Sequence, residues 1–418
     1  MTLAFRERGW NRPKLCESFT RITRHADARR SVMRSVELFS GCGGLALGAA
    51  RAGFDHELMV EWNKEACATL GLNSRKGLEH AREWTVRSGD VRDVRWADVV
   101  GAGVDLVAGG PPCQPFSVGG KHRGHRDVRD MWPEAIRAVR ELRPRAFLFE
   151  NVRGLTRAAF ADYLSWIRLA LAHPGLAREE SEDYHEHLKR LKTSRADPEY
   201  DVLVVRVNAA DYGAAQKRHR VAIVGIRREL DVTLVAPAPT HSRERLLWDQ
   251  WITGEYWRGH GVDAPAGPAS DADRRLVGRL LRRGEPPSGE PWRTVRDALA
   301  GLGEPDGRNG HVFQDGARVY SGHTGSPIDG PAKALKAGDH GVPGGENMMV
   351  RDDGSVRYFT LREAARLQGL PDEWEFPSSW TESMRQLGNA VPTQLAEAMT
   401  RWIAETLPNE PADQGIAA

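Results

Sequence analysis

The sequence has few cysteines and no long apolar segment. Its 418 residues include four cysteines, Cys16, Cys42, Cys67 and Cys113, and no C-x-x-C pair, so neither a zinc site nor a disulfide framework is indicated. No run approaches the ~18 consecutive apolar residues that cross a membrane, and the start, MTLAFRERGW, lacks the apolar core of a secretory signal. We therefore expect a cytoplasmic protein that does not associate with a membrane.

Lysine is also scarce: nine lysines accompany 50 arginines, although the formal net charge is only +2. Arginine is the better partner for phosphate and guanine, because its planar guanidinium can make two parallel hydrogen bonds. A GC-rich genome would produce the same excess, so composition alone does not indicate nucleic-acid binding. With 40% hydrophobic and 28% charged residues, the chain is typical of a folded protein of two or three domains.

Short apolar runs alternate with amphipathic segments from Val36 to about residue 226. The predicted strands are 35–39, 57–61, 104–108, 146–150, 201–207 and 221–226, and the clearest predicted helices are 131–142 and 160–172. This alternation predicts an α/β fold with a doubly wound, mostly parallel sheet. The charged, histidine-rich residues 173–200 are interpreted as a surface insertion.

Composition divides the chain into five segments. A basic N-terminal extension, 1–34, precedes the first domain, 35–237. Proline, glycine and tryptophan become frequent in 238–360, which indicates a second, smaller and irregular domain. Helical patterns in 361–407 are expected to return to the first domain, and 408–418 is interpreted as a tail.

A glycine-rich turn follows the first predicted strand in ELFSGCGGLALG. Gly41, Gly43 and Ala46 match the spacing G-x-G-x-x-G/A, and Glu61 follows Gly41 by 20 residues, where an acid would bind ribose hydroxyls. Another acid, Asp90, is placed to accept a hydrogen bond from an adenine amino group. The pattern fits NAD or S-adenosylmethionine, and a glycine turn that binds nothing is the alternative.

The most specific motif is VDLVAGGPPCQPFS, at 104–117. A buried strand leads into Gly-Gly-Pro-Pro and presents Cys113 at the carboxyl edge of the sheet, where doubly wound folds bind ligands. A structural cysteine is expected within an apolar period and not between prolines, so Cys113 is predicted to be a reactive thiol. A polar, basic loop, VGGKHRGHRDVRD, follows.

Two more motifs bring charge to the same edge. AFLFENVRGL ends a strand at Glu150, whose carboxylate can converge on the pocket of Cys113; a partner for a helix cap is the alternative. In NAADYGAAQKRHRVAIVG, Arg218 and Arg220 alternate, so both are expected on one face of an extended segment. A solvated edge strand is the alternative for that pair.

Together these motifs resemble those of the DNA (cytosine-5) methyltransferase family, of the bacterial type II restriction–modification kind. The matching text is FSGCGG, EWNKEA, GDVRDV, GGPPCQPFS, ENVRGL, QKRHR, LREAARLQGLPDEW and QLGNAVP, in the family's order. GAAQKRHR departs from the family's usual Gly-Val-Pro-Gln, but Gln216 and both arginines are kept. The resemblance implies a Rossmann-like S-adenosylmethionine-dependent methyltransferase fold, with 35–237 as the catalytic domain and 238–360 as the target-recognition domain.

The resemblance also implies a mechanism. Carbon-5 of cytosine is a poor nucleophile, and addition of a thiolate to carbon-6 would turn the ring into an enamine that can attack a methyl group. Cys113 would be that nucleophile, and Glu150 would donate to ring nitrogen-3, which requires a protonated carboxyl in a desolvated site. Arg218 and Arg220 would hold the cytosine carbonyl and the adjacent phosphate or Glu150.

Binding residues follow from the resemblance motif by motif. Glu61 would bind the ribose hydroxyls and Trp62 would stack on adenine. The implied pocket for S-adenosylmethionine, whose product is S-adenosylhomocysteine, comprises Phe39, Gly41, Gly43, Gly44, Glu61, Trp62, Asp90, Pro112 and Asn389. The implied DNA contacts, most of them on a loop that would close over a flipped-out cytosine, are Gln114, Ser117, Lys121, Arg123, Arg126 and Gln216. No metal is expected.

The second domain would read the DNA sequence. Its arginine-rich helical stretch carries Arg274, Arg275, Arg279, Arg282 and Arg283 around Leu276, Leu280 and Leu281. A solvated helix face explains this cluster at least as well as contact with a DNA groove. The segment 323–341 resembles the element that supports the recognition region, and a plain connector is the alternative.

The implied function is methylation of carbon-5 of a cytosine in a short double-stranded DNA sequence. The expected setting is a monomer in the bacterial cytoplasm, associated with the nucleoid and protecting host DNA from a cognate restriction endonuclease. An inactive DNA-binding relative and a transfer-RNA methyltransferase remain alternatives. An NAD-dependent oxidoreductase has no use for Pro-Pro-Cys-Gln, and amino-methylating enzymes usually carry Asp/Asn/Ser-Pro-Pro-aromatic.

Overall fold

The computed structural model describes residues 32–112, 130–321, 324–337 and 347–408. Its first strands, in chain order, are β1 (Met33–Leu38), β2 (Phe54–Glu61), β3 (Val86–Ser88), β4 (Leu106–Gly109), β5 (Ala146–Val152), β6 (Tyr200–Asn208), β7 (Gln216–Lys217) and β8 (His219–Arg227). Within the described ranges the main sheet has the order β3-β2-β1-β4-β5-β8-β6, and its neighbours are parallel except where β8 is involved. The predicted α/β class with a mostly parallel sheet is confirmed.

Helices cover both faces of this sheet. They are α1 (Gly44–Arg51), α2 (Lys64–Arg75), α3 (Trp96–Val99), α4 (Trp132–Leu142), α5 (Ala161–Ala172), α6 (Tyr184–Thr193), α7 (Arg243–Trp251), α8 (Glu255–His260), α9 (Asp271–Arg283), α10 (Val295–Leu299), α11 (Leu361–Leu367), α12 (Trp380–Asn389) and α13 (Thr393–Thr406). Along β5, Phe147 and Phe149 pack with α4 and α5, whereas Leu148 packs on the other face with α1 and α13. The alternation follows from the two-residue period of a strand. Of the helices described, none is long and apolar enough to cross a membrane.

The interpretation of residues 173–200 as a surface insertion is wrong in part, because α6 enters the core. Asp183 caps α6 in a capping box with Glu186. Leu188 and Leu191 are then buried against the sheet's core. The Trp166 indole donates to His187 Nδ1 at 3.1 Å, so this histidine has a structural role.

The segment after β8 has small apolar clusters of its own. Its strands are β9 (His241–Ser242), β10 (Glu290–Pro291), β11 (Ser326–Pro327), β12 (Ala332–Lys333), β13 (Met348–Val350) and β14 (Val356–Tyr358). Leu247 of α7 packs with Leu276 and Leu280 of α9, and Tyr256 packs with Trp257 in a second cluster. Residues Val32–Pro408 nevertheless form one compact unit, so the domain bounds drawn from the sequence stay predictions.

A glycine at the crossing of α1 and α13 gives the first testable prediction. A Cβ on Gly48 would lie 2.4 Å from the Ala396 Cβ and 2.6 Å from the Glu397 nitrogen. Gly48→Ala should therefore lower the free energy of unfolding by about 1–3 kcal/mol, because the two helices would have to separate. Urea denaturation measures the change.

Gly278→Ala is the matched control, since the atom nearest to a Cβ there is a flexible Arg282 nitrogen at 3.7 Å. This helical glycine has room, so alanine should stabilise the protein by about 0.5–1 kcal/mol. Equal free energies of unfolding for the two variants would show that the close packing of α1 on α13 does not contribute to the stability of the protein.

Candidate functional site

The carboxyl ends of the central strands border one large cavity. β1 lies between β2 and β4 in the sheet. The chain continues from β1 to β2 on one side, whereas β4 lies on the other side. The connections that follow β1 and β4 therefore diverge and leave a crevice between them. The cavity measures about 1830 Å³. A single small-molecule pocket occupies roughly 300–1,000 Å³, so the cavity has room for two ligands side by side.

The cavity collects most of the sequence-predicted residues that the structure describes. Those that line it are Phe39, Gly41, Gly44, Glu61, Trp62, Asp90, Pro112, Glu150, Arg218, Arg220 and Asn389. The predicted residues Cys113, Gln114, Ser117, Lys121, Arg123 and Arg126 lie outside the described ranges. The structure describes the chain up to Pro112, directly before the predicted nucleophile.

The glycine turn after β1 brings the C-terminal part of the chain to the cavity. A Cβ on Gly44, the first residue of α1, would lie 2.3 Å from the Val391 carbonyl oxygen, so the QLGNAVP turn rests directly on this helix end. Gly43 does not line the cavity, contrary to the prediction. It has φ +90 and a Cβ there would approach a Leu70 side-chain carbon to 2.8 Å, so its role is to shape the turn.

Glu61 and Trp62 form one end of the cavity. The Glu61 carboxylate accepts hydrogen bonds from the main-chain nitrogens of Gly41, at 2.8 Å, and Asn63, at 2.7 Å. These bonds fix its orientation and leave lone pairs on both oxygens for hydroxyl donors. The neighbouring Trp62 side chain is 71% exposed, so its ring offers a free face.

Asp90 lies at the same end, at the start of a short 3₁₀ turn. Its carboxylate accepts the Arg92 main-chain nitrogen at 2.9 Å and pairs with the Arg92 guanidinium at 2.5 Å. Hydrogen bonding to Arg92 lowers the pKa of the Asp90 carboxyl below its usual value. An ionised Asp90 is an acceptor, as the prediction requires, and Arg92 is a partner that the sequence did not indicate.

Glu150 and Arg220 form the other end. They belong to the antiparallel strands β5 and β8, and Arg220 Nε lies 2.5 Å from Glu150 Oε1. The second oxygen, Oε2, lies 3.7 Å from the position that a Cβ on Gly110 would occupy. Asn151, buried beside Glu150, donates from Nδ2 to the Pro111 carbonyl at 3.1 Å. The ENV motif thus provides the Glu150 carboxylate, and its Asn151 side chain binds the segment that leads to Cys113.

Arg218, which was expected with Arg220 to hold the cytosine carbonyl and the adjacent phosphate or Glu150, donates its hydrogen bonds to main-chain carbonyls. It is only 1% exposed, and its guanidinium donates to the main-chain carbonyls of Leu335, at 2.8 Å, and Gly388, at 2.6 Å. Burial lowers the pKa of Arg218 well below its usual value. Arg218 therefore positions other parts of the cavity wall: it connects the start of β8 to the segments that contain Leu335 and Gly388.

The prediction that Gln216 contacts DNA is not supported by the structure. Its side chain is fully buried and accepts the Leu335 main-chain nitrogen at 3.0 Å while donating to Leu367 O at 3.4 Å. The same region pairs β7 with β12 in parallel, which attaches the segment 324–337 to the QKRHR motif. This segment therefore supports the cavity wall and is more than a plain connector.

The cysteines within the described ranges are not activated. Burial raises the pKa of Cys42 to about 12 and raises that of Cys67 above its usual value. In the same part of the chain no group of histidine, cysteine and carboxylate side chains could hold a metal ion. Neither of the two described cysteines is therefore a candidate nucleophile, and Cys113 stays the predicted one.

The arginine-rich helix α9 is partly buried. Leu276 and Leu280 pack against α7, but Leu281 is 57% exposed, so the predicted apolar face is narrower than expected. Arg274 pairs with Asp271 at 2.5 Å. The remaining arginines, all exposed, are Arg275, Arg279, Arg282 and Arg283.

The sequence analysis missed several cationic residues that line the cavity: Arg92, Arg153, Arg157, Arg206, Lys336 and Arg385. Arg153 and Arg157 directly follow the ENV motif in ENVRGLTR, so reading past the strand end would have found them. Arg206 interrupts the apolar run VLVVRVN at the end of a strand, which is a second available signal. Arg385 has no local signal, because only folding brings α12 to β2.

Comparison with known proteins finds a family model and relatives that match most of the chain. A family model described as C-5 cytosine-specific DNA methylase matches residues 33–249 and 316–405, more than half of the chain. The chain is 30% identical over 385 residues to the type II methyltransferase M.NgoMIV of Neisseria gonorrhoeae, covering 90% of this chain and 98% of that protein. It is 32% identical over 384 residues to the type II methyltransferase M.PspPI of Psychrobacter sp. (strain TA137), covering 90% and 80%.

Solved structures share the fold at lower sequence identity. A DNA modification methyltransferase encoded within an Escherichia coli prophage superposes with a TM-score of 0.56 at 22% identity, covering 90% of this chain and 99% of that chain. A DNMT2 variant from Spodoptera frugiperda superposes with a TM-score of 0.52 at 13% identity, covering 89% and 99%.

Replacing Arg218 tests whether it joins distant segments. Arg218→Met would leave the carbonyls of Leu335 and Gly388 buried without donors, at about 1–3 kcal/mol for each group. We expect a loss of about 2–4 kcal/mol in the free energy of unfolding, measured by urea denaturation. Arg153→Gln is the control, because this exposed side chain has no partner within the described residues and should change stability by less than about 0.5 kcal/mol. A loss as small as that of the control would contradict the assigned role.

Proposed function

The chain belongs to the C-5 cytosine-specific DNA methylase family and is a DNA (cytosine-5) methyltransferase, and we propose that it methylates a flipped-out cytosine by way of a covalent Cys113 adduct, with S-adenosylmethionine as the methyl donor. One observation carries the proposal. The carboxylate of Glu150 and the Pro-Pro segment that leads to Cys113 meet at one end of a cavity whose other end holds Glu61 and Trp62.

The residues of the Glu61 end fit S-adenosylmethionine. The Glu61 carboxylate, oriented by two main-chain nitrogens, suits the two ribose hydroxyls, and the exposed Trp62 ring suits an adenine face. Asp90 accepts hydrogen bonds and suits the adenine amino group. When bound, the cofactor supplies an electrophilic methyl group. Asn389, exposed at the end of α12, closes the cavity wall beside the glycine turn.

The residues of the Glu150 end fit a cytosine base. Cys113 adds its thiolate to carbon-6 while Glu150 provides a proton at ring nitrogen-3, so that the electron pair of the 5,6 double bond becomes available at carbon-5. Arg220, 2.5 Å from one Glu150 oxygen, fixes that carboxyl and directs positive charge towards the ring. After methyl transfer, the carbon-5 proton passes to water, the 5,6 double bond re-forms as Cys113 leaves as the thiolate, and the proton on nitrogen-3 returns to Glu150.

A cytosine paired inside a duplex cannot reach a cavity of this depth, so the base must leave the stack. Exposed arginines at the cavity mouth, including Arg153 and Arg157, support binding of the flanking phosphates. The relatives bear the names of type II methyltransferases. We infer that this chain acts as a monomer and protects host DNA from a restriction endonuclease.

Expression in a host without cytosine methylation, followed by bisulfite sequencing of its genome, tests the reaction. Methylated cytosines are expected at one short motif, and Cys113→Ala should abolish them because no other described thiol is activated. Glu150→Gln, which keeps the size of the side chain, should reduce methylation at least about 100-fold. An unmethylated genome in cells that contain folded protein would contradict the proposal and favour an RNA substrate or an inactive DNA-binding relative.

Trp62→Ala tests the cofactor end separately. Loss of a stacking face worth about 1–3 kcal/mol should raise the Kd for S-adenosylmethionine about 5- to 150-fold, as measured by calorimetry. Stability should stay unchanged, since the ring is 71% exposed. Phe313→Ala, which removes another exposed ring away from the cavity, should leave the Kd unaltered. An unchanged Kd in Trp62→Ala would refute the assigned adenine contact.

A further inference from the structure

A second, smaller depression continues the large cavity along the protein surface. It measures about 400 Å³ and lies between α5 and β6, an edge strand of the main sheet. It shares Thr156, Arg157 and Arg206 with the large cavity, so the two are continuous. We call this depression the α5–β6 groove. A ligand that leaves the Glu150 end of the cavity in this direction enters the groove directly.

Three exposed arginines border the α5–β6 groove: Arg157, Arg168 and Arg206. None of the three has an ion pair or a side-chain hydrogen bond to any residue in the described ranges. Their neighbours differ, because Arg137 on α4 pairs with Glu134 at 2.7 Å and Arg190 on α6 pairs with Glu182 at 2.6 Å. Positive charge in the groove is therefore uncompensated by the protein.

The acidic residues on the same elements do not neutralise the groove. Asp201 of β6 lies 3.4 Å from the Arg228 guanidinium and so already has a partner. Asp162 lies in the first turn of α5 and precedes Arg168 by six positions, a spacing that places the two on different sides of a helix. Three guanidinium groups thus face solvent together with the hydroxyl of Ser165.

The sheet register connects the groove to the reacting end of the cavity. Val152 of β5, Arg220 of β8 and Val207 of β6 stand in one row across three strands. Arg206 is one residue from that row, and it shares a strand face with Val204 in the groove. Arg168 lies about two turns along α5 from its first residue, so the three arginines are spread along the groove.

We propose that the α5–β6 groove binds phosphodiester groups of the DNA strand that carries the target cytosine, with Arg157, Arg168 and Arg206 as the phosphate partners. The inference rests on the proposed function, because a substrate strand must leave the cavity when its cytosine is bound there. Guanidinium groups suit phosphate oxygens, since they donate two parallel hydrogen bonds. These contacts would add affinity independently of sequence and apart from the recognition domain.

The double variant Arg168→Gln/Arg206→Gln tests the proposal. Binding of a 30-base-pair duplex that contains the methylated motif is measured over a range of salt concentrations. Each lost phosphate contact should reduce the slope of log K against log salt by about 0.9, so the double variant should lose about 1.8. With equal affinities near 1 M salt, this corresponds to about 60-fold weaker binding near 0.1 M salt. Its KM for DNA should rise, whereas the Kd for S-adenosylmethionine should match the wild type, because the groove adjoins the Glu150 end of the cavity.

The matched control is Arg178→Gln/Arg195→Gln, which removes two exposed arginines outside the groove and the cavity. It should keep the wild-type salt slope. Equal slopes for the groove variant, the control and the wild type would overturn the proposal while methylation by the wild type continues. Failure of the proposed function would be different, because the wild type itself would then methylate no DNA.

Neutral methylphosphonate links, introduced one at a time next to the target cytosine, locate the contacts. The wild type should bind two or three of these duplexes more weakly, and the double variant should be insensitive at the same positions. If the double variant does not fold, the single variants Arg168→Gln and Arg206→Gln replace it, with about half the change in slope for each. The same sensitivity in wild type and variant would also overturn the proposal.

Discussion

A single buried guanidinium joins the segments that form the cavity wall. Arg218 follows β7, and it donates to the carbonyls of Leu335 and Gly388, which lie more than a hundred residues further along the chain. Burial of a cation is costly, and main-chain carbonyls compensate for the lost water only where their positions are fixed. The β12 strand and the end of α12 must therefore be in place together. Arg218 thus couples two segments of the cavity wall that are distant in the chain.

The two ends of the cavity suit different chemical groups, and the order of the strands keeps these ends apart. At the Glu61 end, main-chain nitrogens orient a carboxylate beside an exposed indole, which suits a polar nucleoside. At the Glu150 end, an arginine on the neighbouring antiparallel strand fixes the carboxyl. Because β1 and β4 are adjacent, the two ends lie on either side of the same crevice. A methyl donor and an acceptor base can meet there without sharing contacts.

Residues next to one another in the chain were predictable from the sequence, and contacts across the fold were not. Short apolar runs predicted the main strands, the motifs at two strand ends pointed to Glu61 and Glu150, and the family resemblance added Asn389; all three line one cavity. By contrast, the sequence predicts a DNA contact for Gln216 and a contact with the substrate for Arg218, with a solvated edge strand as the alternative. Pairing of β7 with β12 buries both, and a local pattern contains no information about a partner 116 positions away. Gly43 was likewise read as a ligand contact, although packing against Leu70 explains it.

The contact between Gly44 and Val391 also has a consequence for biosynthesis. The glycine turn leaves the ribosome about 350 residues before Val391 and the α13 helix do. At about 5–20 residues per second, tens of seconds separate the synthesis of the two partners. During that interval the nascent sheet presents an incomplete cavity. Assembly of the cavity thus waits for synthesis of the α13 segment, and a chain that stops before Val391 lacks this part of its wall.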